Sequence, residues 1–268
     1  MNTKEKVFII TGASSGIGAE LARQLAIKGA RVVCAARTIE KLESLCTEIN
    51  ENGGSAIAVQ ADITDKLQCD KIVNVAVEAY NKIDGLVLNA GISMWAKFDK
   101  IKNIEFFKTI MDTNYMGSVY CVHSALPHLK QSGGKIISCS TGQAIMGFPN
   151  HSGYVASKHA LHGFLSTVRM ENRKEITVLE AVLSWIKGTD LRANSFGVDG
   201  KVQKGTTRKH TDEAVPLNLC VGTIVEAIEK DLTTVYIPKK LSFIPFLKLF
   251  FNGFLEKKVF RAINENKK

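Results

Sequence analysis

The sequence predicts a doubly wound α/β fold on a parallel sheet of about seven strands, and three observations carry that prediction. From Lys6 to Gly188, short β-branched runs alternate with longer stretches of helical spacing, the pattern of consecutive βαβ units. The runs are apolar almost without interruption, as strands are when both faces of a sheet are covered. A glycine-rich turn stands directly after the first run and opens the first helical stretch, where an open α/β sheet places a ligand-binding loop.

The expected strands are residues 7–10, 31–35, 55–59, 85–88, 135–139, 176–182 and 234–237. Ile17, Leu21 and Leu25 recur at helical spacing after the first strand, and Leu67, Ile72, Val73, Val75 and Ala76 do so after the third. Both stretches read as crossover helices whose apolar stripe belongs to the core. No internal repeat or low-complexity linker interrupts the chain. With 268 residues, 45% of them hydrophobic and 23% charged, one core suffices, so residues 1–240 are expected to form a single domain. Within it, residues 190–215 are polar, carry Gly197, Gly200 and Gly205, and lack periodicity, which reads as a flexible flap over a substrate site. Residues 241–268 form a hydrophobic and basic extension.

Composition excludes several function classes. The formal net charge is +9, but the lysines are scattered and no arginine-rich or aromatic-interleaved basic stretch appears, so nucleic acid is not an expected partner. An anionic cofactor or a membrane surface accounts for the sign. The six cysteines, Cys34, Cys46, Cys69, Cys121, Cys139 and Cys220, include no C-x-x-C pair and no metal-ligand spacing with histidine, so the interior reads as reduced and metal-free. Cys34 and Cys139 sit in strand-like runs as small buried hydrophobes. The first apolar run is too short for a signal sequence or a membrane span, which makes the expected location cytoplasmic, with peripheral membrane contact through the C-terminal segment as the one alternative.

The glycine turn reads Thr11-Gly12-Ala13-Ser14-Ser15-Gly16-Ile17-Gly18. Gly12, Gly16 and Gly18 permit a tight turn and, with the backbone of Ser14, Ser15 and Ile17, bring a pyrophosphate to a helix N-terminus. After the second strand, a chain using NAD places a carboxylate for the adenosine 2′-hydroxyl. Here Ala35-Ala36-Arg37-Thr38 has no acid. Arg37 can make forked contacts to a 2′-phosphate, with Thr38 as an extra donor, and the expected cofactor is NADP(H).

Further along stand Asp62-Ile63, Asn89-Ala90-Gly91 and Tyr154-Val155-Ala156-Ser157-Lys158. With the glycine turn, in this order, they make roughly the first 190 residues resemble the short-chain dehydrogenase/reductase family. The resemblance implies a Rossmann-type domain and an oxidoreductase that moves a hydride between nicotinamide and a carbonyl or secondary alcohol. It places Asp62 and Ile63 at the adenine, has Asn89, Ala90 and Gly91 line the cofactor, and makes Tyr154 and Lys158 a proton-transfer pair that also touches it. Four residues apart, the pair shares one helix face, and the lysine ammonium and oxidised nicotinamide are expected to lower the tyrosine pKa.

Three further positions follow from the resemblance. Asn114, in Asp112-Thr113-Asn114-Tyr115-Met116-Gly117, matches the family asparagine that holds a water between the active-site lysine and solvent. The hydroxyl that holds the substrate oxygen falls thirteen positions before the tyrosine, on Thr141, with Ser140 the alternative if the turn is shifted by one. The Pro-Gly pair that family members carry after the sixth strand is missing from Leu183-Ser184-Trp185-Ile186-Lys187-Gly188-Thr189. Thr189 is left to hold the carboxamide and Ile186 to supply a backbone contact.

The branch it resembles contains 11β-hydroxysteroid dehydrogenase and the dehydrogenase/reductase member 7 group. This implies a small apolar substrate of steroid, retinoid or lipid kind, and a homodimer or homotetramer. The threonine at the serine position and the missing Pro-Gly keep a second reading open, a catalytically weak NADP-binding regulatory or scaffold protein. In the extension, phenylalanines three or four apart are flanked by Lys239, Lys240, Lys257, Lys258 and Arg261, while Pro245, Lys248 and Asn252 interrupt any spanning run. It reads either as an amphipathic element on a membrane or over a pocket mouth, or as a helix docked on the core or a second subunit.

Overall fold

The computed structural model describes residues 1–203 and 214–265. Its strands are β1 (Val7–Thr11), β2 (Arg31–Ala36), β3 (Ser55–Gln60), β4 (Gly85–Leu88), β5 (Lys135–Thr141), β6 (Thr177–Leu183) and β7 (Thr234–Ile237). They make one parallel sheet in the order β3-β2-β1-β4-β5-β6-β7. The fold class is therefore the one the sequence implies. Strand ends differ: β5 continues past the apolar run through Ser140 and Thr141, because their backbones still pair with Val182 and Leu183. A polar side chain ends hydrophobic patterning without ending a hydrogen-bond ladder.

Helices cover both faces. α1 (Gly16–Ile27), α2 (Ile39–Glu51) and α7 (Leu217–Glu229) share a core with Phe8, Ile10, Val32, Cys34, Val87, Ile137 and Cys139. α3 (Lys66–Tyr80), α5 (Gly117–Ser132) and α6 (Ser152–Glu171) share the opposite one with Ile9, Val33, Leu86, Leu88, Ile136 and Val178. Alternate strand residues thus feed alternate faces, which is why the runs are apolar throughout. The predicted stripe after the third strand needs one correction: Leu67 is 76% exposed. It lies in the first turn of α3, where its N–H bonds the Asp65 cap, and its side chain falls outside the buried stripe formed by Cys69, Ile72, Val73 and Ala76.

A third, smaller cluster joins α4 (Phe106–Met111) to Met94, Ala96 and Tyr154. It also receives Phe196, whose ring stacks on Phe106 at 5.2 Å. Phe196 N–H donates to Ser93 O, and Trp95 N–H donates to Phe196 O. The first part of the predicted flap is therefore a wall tied to the loop after β4, because a lone phenylalanine anchors an otherwise polar segment. Residues 204–213 of that flap, Gly205 among them, lie outside the described residues.

The extension forms α8 (Ile244–Glu265), broken at Phe251 (φ −137°, ψ 39°). Ile244, Leu255 and Ile263 are its buried residues, while Phe246, Phe250, Phe251, Phe254 and Phe260 are exposed. The helix is thus seated on the chain through a narrow seam, which leaves these rings uncovered. Among the described residues, no helix is long and apolar enough to cross a membrane.

At the amino ends of the two central strands, Asp84 fastens the start of β1 to β4. Its buried carboxylate accepts from Val7 N–H at 2.9 Å and from Lys6 Nζ at 2.7 Å, and Lys82 Nζ lies 3.1 Å away. Burial pushes the carboxyl pKa up, but these donors outweigh it and hold it below the ordinary aspartate value. Asp84→Ala strands a buried N–H, so it should cost about 1–3 kcal/mol at neutral pH in urea unfolding. A depressed folded pKa stabilises above the unfolded value, near ~3.9, and loses that contribution as pH falls through the lower folded one. The gap between variant and wild type should accordingly narrow in acid.

Candidate active site

The chain order of the sheet reverses between β1 and β4, and a crevice opens there at the carboxyl ends of the strands. Asn89 closes the floor of that crevice. Its Nδ2 donates to Thr11 O and Gly12 O, both at 3.0 Å, and the N–H groups of Asn89 and Ala90 donate to Thr11 Oγ1. Such closeness excludes side chains. A methyl group at Gly12, where φ is +67°, would stand 2.8 Å from Ala90 Cα, and one at Gly18 would stand 2.4 Å from Gly12 O. Ser15 precedes α1 without a side-chain cap, which leaves the first N–H groups of the helix open toward the crevice.

A second amide clamp holds α6. Asn114 lies in a π-helical turn, Asp112–Met116, between α4 and α5, and is fully buried. Its Oδ1 accepts from Ile92 N–H at 2.8 Å, and its Nδ2 donates to Ile92 O and to Ser157 Oγ, both at 2.9 Å. Ser157 Oγ donates in turn to Tyr154 O. The loop after β4 and the helix carrying Tyr154 and Lys158 are thereby fixed to each other. The spacing of the Tyr154–Lys158 motif assigns Ser157 no role; its complete burial is a tertiary fact.

Tyr154 and Lys158 are both buried, with Lys158 Nζ 5.8 Å from the centre of the tyrosine ring. Burial pushes the tyrosine pKa up. It pushes the lysine pKa down, against a smaller opposing effect of Cys139. In the protein alone desolvation outweighs the neighbouring ammonium, because neither charged form has water around it; the lowering expected of the ammonium together with an oxidised nicotinamide belongs to the cofactor-bound protein. The pair rests with a protonated phenol.

One cleft of about 550 Å³ runs from the glycine turn past Asn89 to Tyr154 and Lys158, within the usual range for small-molecule sites. Gly12, Ser14, Ser15, Gly16 and Ile17 line it, as do Arg37, Thr38, Asp62, Ile63, Asn89, Ala90 and Gly91. So do Ser140, Thr141, Tyr154, Lys158, Ile186 and Thr189. Two predicted residues do not reach it. Gly18 and Asn114 stand behind the wall and act by permitting or holding close contacts. Arg37 is exposed and makes no ion pair with a described residue. Thr38 precedes α2 without capping it. The carboxylate of Asp62 accepts from Thr64 N–H and Oγ1.

These groups fit a dinucleotide: an uncapped helix N-terminus and a cationic side chain stand along one cleft, and Gln143 Oε1 in the same wall is buried without a partner. Sequence reasoning missed Lys41, which lines the cleft from the first turn of α2; its spacing of four from Arg37 was the available signal. It also missed the outer wall. Trp95 and His151 meet edge to face at 4.9 Å, His151 and Tyr154 at 6.0 Å, and the Arg192 guanidinium stacks over Trp185 at 5.1 Å. Trp185 and Ile186 occupy the stretch where the Pro-Gly pair is missing. There Lys187 N–H donates to Val215 O and Val215 N–H to Trp185 O, and Thr189 Oγ1 donates to Ile186 O.

Residues 6–197, well over half the chain, match the short chain dehydrogenase family. The chain belongs to that family. Among curated relatives, this short-chain dehydrogenase is 36% identical over 202 residues to 11-beta-hydroxysteroid dehydrogenase 1A of Arabidopsis thaliana, covering 75% of this chain and 58% of that one. The chain thus spans less than two thirds of that plant relative's length. It is 32% identical over 231 residues to an uncharacterised oxidoreductase of Listeria monocytogenes, covering 86% and 93%. An alcohol dehydrogenase from Thermococcus sibiricus, solved with 5-hydroxy-NADP, superposes with a TM-score of 0.74 at 22% identity, over 86% of this chain and 95% of that one. That likeness concerns the fold.

The seam between β1 and β4 makes a test independent of any substrate. Gly18→Ala places a methyl 2.4 Å from Gly12 O and 2.5 Å from Asn89 Nδ2. Overpacking against backbone of this kind should cost about 1–3 kcal/mol and lower the melting temperature. An unchanged melting temperature would mean that the turn can relax away from β4.

Proposed function

We propose that this short-chain dehydrogenase is an NADP(H)-dependent carbonyl reductase, or in reverse an alcohol dehydrogenase, acting on an apolar ketone or secondary alcohol. The observation that carries the reading is that one cleft joins Arg37 to the buried pair of Tyr154 and Lys158. No acid stands among residues 35–38 to receive a 2′-hydroxyl, whereas a guanidinium suits a 2′-phosphate.

Bound NADPH would supply the hydride to the carbonyl carbon. The protein supplies the proton and the geometry. Tyr154, kept protonated by burial, donates to the substrate oxygen as charge develops there. Thr141 holds that oxygen: its Oγ1 accepts from Gln143 N–H at 3.3 Å, which leaves its O–H to donate and orients it, while no hydrogen bond among the described residues orients Ser140. Lys158 stands behind the ring, next to Gly91 and Asn114, where it can hold the nicotinamide ribose and return a proton to the tyrosine. Trp95, His151 and Trp185 give the outer cleft an aromatic wall, the chemistry that excludes water from an apolar substrate.

Tyr154→Phe deletes the transferable proton alone, so turnover of NADPH with aromatic or steroid ketones should be lost while NADPH binding, read by fluorescence titration, is retained. Near wild-type rates in that variant would remove the tyrosine from the mechanism. Arg37→Ala should weaken NADPH by roughly 10- to 100-fold more than NADH, the worth of a charged hydrogen bond of about 1.5–3 kcal/mol. Equal losses for the two cofactors, or a wild-type preference for NADH, would overturn the cofactor assignment.

A further inference from the structure

The exposed side of α8 is out of character for the surface of a closed domain. Phe246 packs against Phe250 at 5.0 Å and against Phe251 at 6.0 Å, so the rings meet one another and not the sheet. With Phe243, Phe254 and Phe260 they make six phenyl groups, each at least 54% exposed. Six half-open rings present on the order of 600 Å² of apolar surface, the upper end of the about 300–600 Å² of the largest patch on a typical monomer, a size that often marks a functional surface. The helix is already seated through Ile244, Leu255 and Ile263, so these rings are not required to hold it.

Charge selects the partner. Residues 239–261 carry six basic side chains, Lys239, Lys240, Lys248, Lys257, Lys258 and Arg261, against one acid, Glu256. A second copy meeting this face with its own would bring two cationic surfaces together, since a two-fold interface pairs like patches. The rings are exposed along a helix, whereas recognition of a peptide needs a groove or a free strand edge. Exposed rings interleaved with basic side chains on a helix not apolar enough to span a bilayer are the properties of an element that lies in a membrane interface.

We propose that this face docks on an anionic lipid surface, with α8 in the plane of the interface and its phenylalanines among the acyl chains. Docking is independent of the reaction assigned to the cleft. It has a geometric consequence all the same: Ile244, the first residue of α8, abuts Gly142, its Cδ1 3.3 Å from where a methyl on that glycine would sit. Gly142 directly follows Thr141. The docked helix thus begins beside the floor of the cleft.

Co-sedimentation of the full chain with phosphatidylcholine vesicles, with and without phosphatidylserine, tests the proposal. Binding is expected to the phosphatidylserine vesicles, to weaken as salt is raised, and to fall about fivefold for each lysine lost in Lys257→Ala and Lys258→Ala. The triple change Phe246→Ser, Phe250→Ser and Phe254→Ser should abolish it with the melting temperature unchanged, because all three rings are exposed. Absence of vesicle binding by the intact chain overturns the proposal, even if an acidic protein binds the face instead. So does equal binding by the phenylalanine variant, or a dimer in solution that this variant dissociates.

Discussion

The cleft depends on how closely β1 and β4 approach at their carboxyl ends. The sheet reverses its order there, and the two turns are joined by backbone, the Asn89 amide and the Thr11 hydroxyl. Asn89 carries the pairing of β1 and β4 beyond the end of the ladder, by donating to Thr11 O and Gly12 O. The glycine turn is thereby pressed against Ala90, and the start of α1 is aimed into the crevice. Phosphate-sized anions are met by helix N–H groups only when the backbone can be brought this near.

Asn114 repeats the device one element later. The π-helical turn inserts a residue between α4 and α5 and directs an amide inward, where it joins the loop after β4 to α6 through Ile92 and Ser157. Gly117 lets the following helix come close, since a methyl there would stand 2.7 Å from Ile63 Cδ1. The two clamps make one rigid block of the loop, the tyrosine helix and the floor of the cleft. Burial inside that block controls the acid: water is excluded from both Tyr154 and Lys158, and each is displaced toward its neutral form. A charge reaching this site from a ligand would act in a medium of low dielectric, where its effect on the phenol is larger than in water.

How much of the site was legible follows from what kind of fact each residue represents. The glycines, Arg37, Asn89, Tyr154 and Lys158 belong to short motifs whose spacing is carried within one turn or helix, and the cleft contains or adjoins all of them. Gly18 and Asn114 were legible as motif members but not in their roles, because closeness to Gly12 O or to Ser157 is a relation between distant segments. Trp95, His151 and Trp185 had no motif to mark them. They meet because the loops after β4, β5 and β6 converge over the cleft, and loop convergence leaves no periodic trace. The phenylalanine spacing of α8 indicated an amphipathic helix, while its outward direction depends on which side Ile244, Leu255 and Ile263 find a seat.

The sequence by itself determined the doubly wound fold, the succession of its strands along the chain, and the chemistry available at the glycine turn and on α6. These are consequences of hydrophobic period and of residue spacing, which act within a few residues of each other. The tertiary structure alone decided that β5 extends to Thr141, that the segment around Phe196 forms a wall, that burial shifts the tyrosine further toward its neutral form and that the rings of α8 face outward. Each of those results depends on contacts between residues far apart in the chain, on backbone pairing that side-chain polarity does not reveal, or on the removal of water by neighbours that no local pattern specifies.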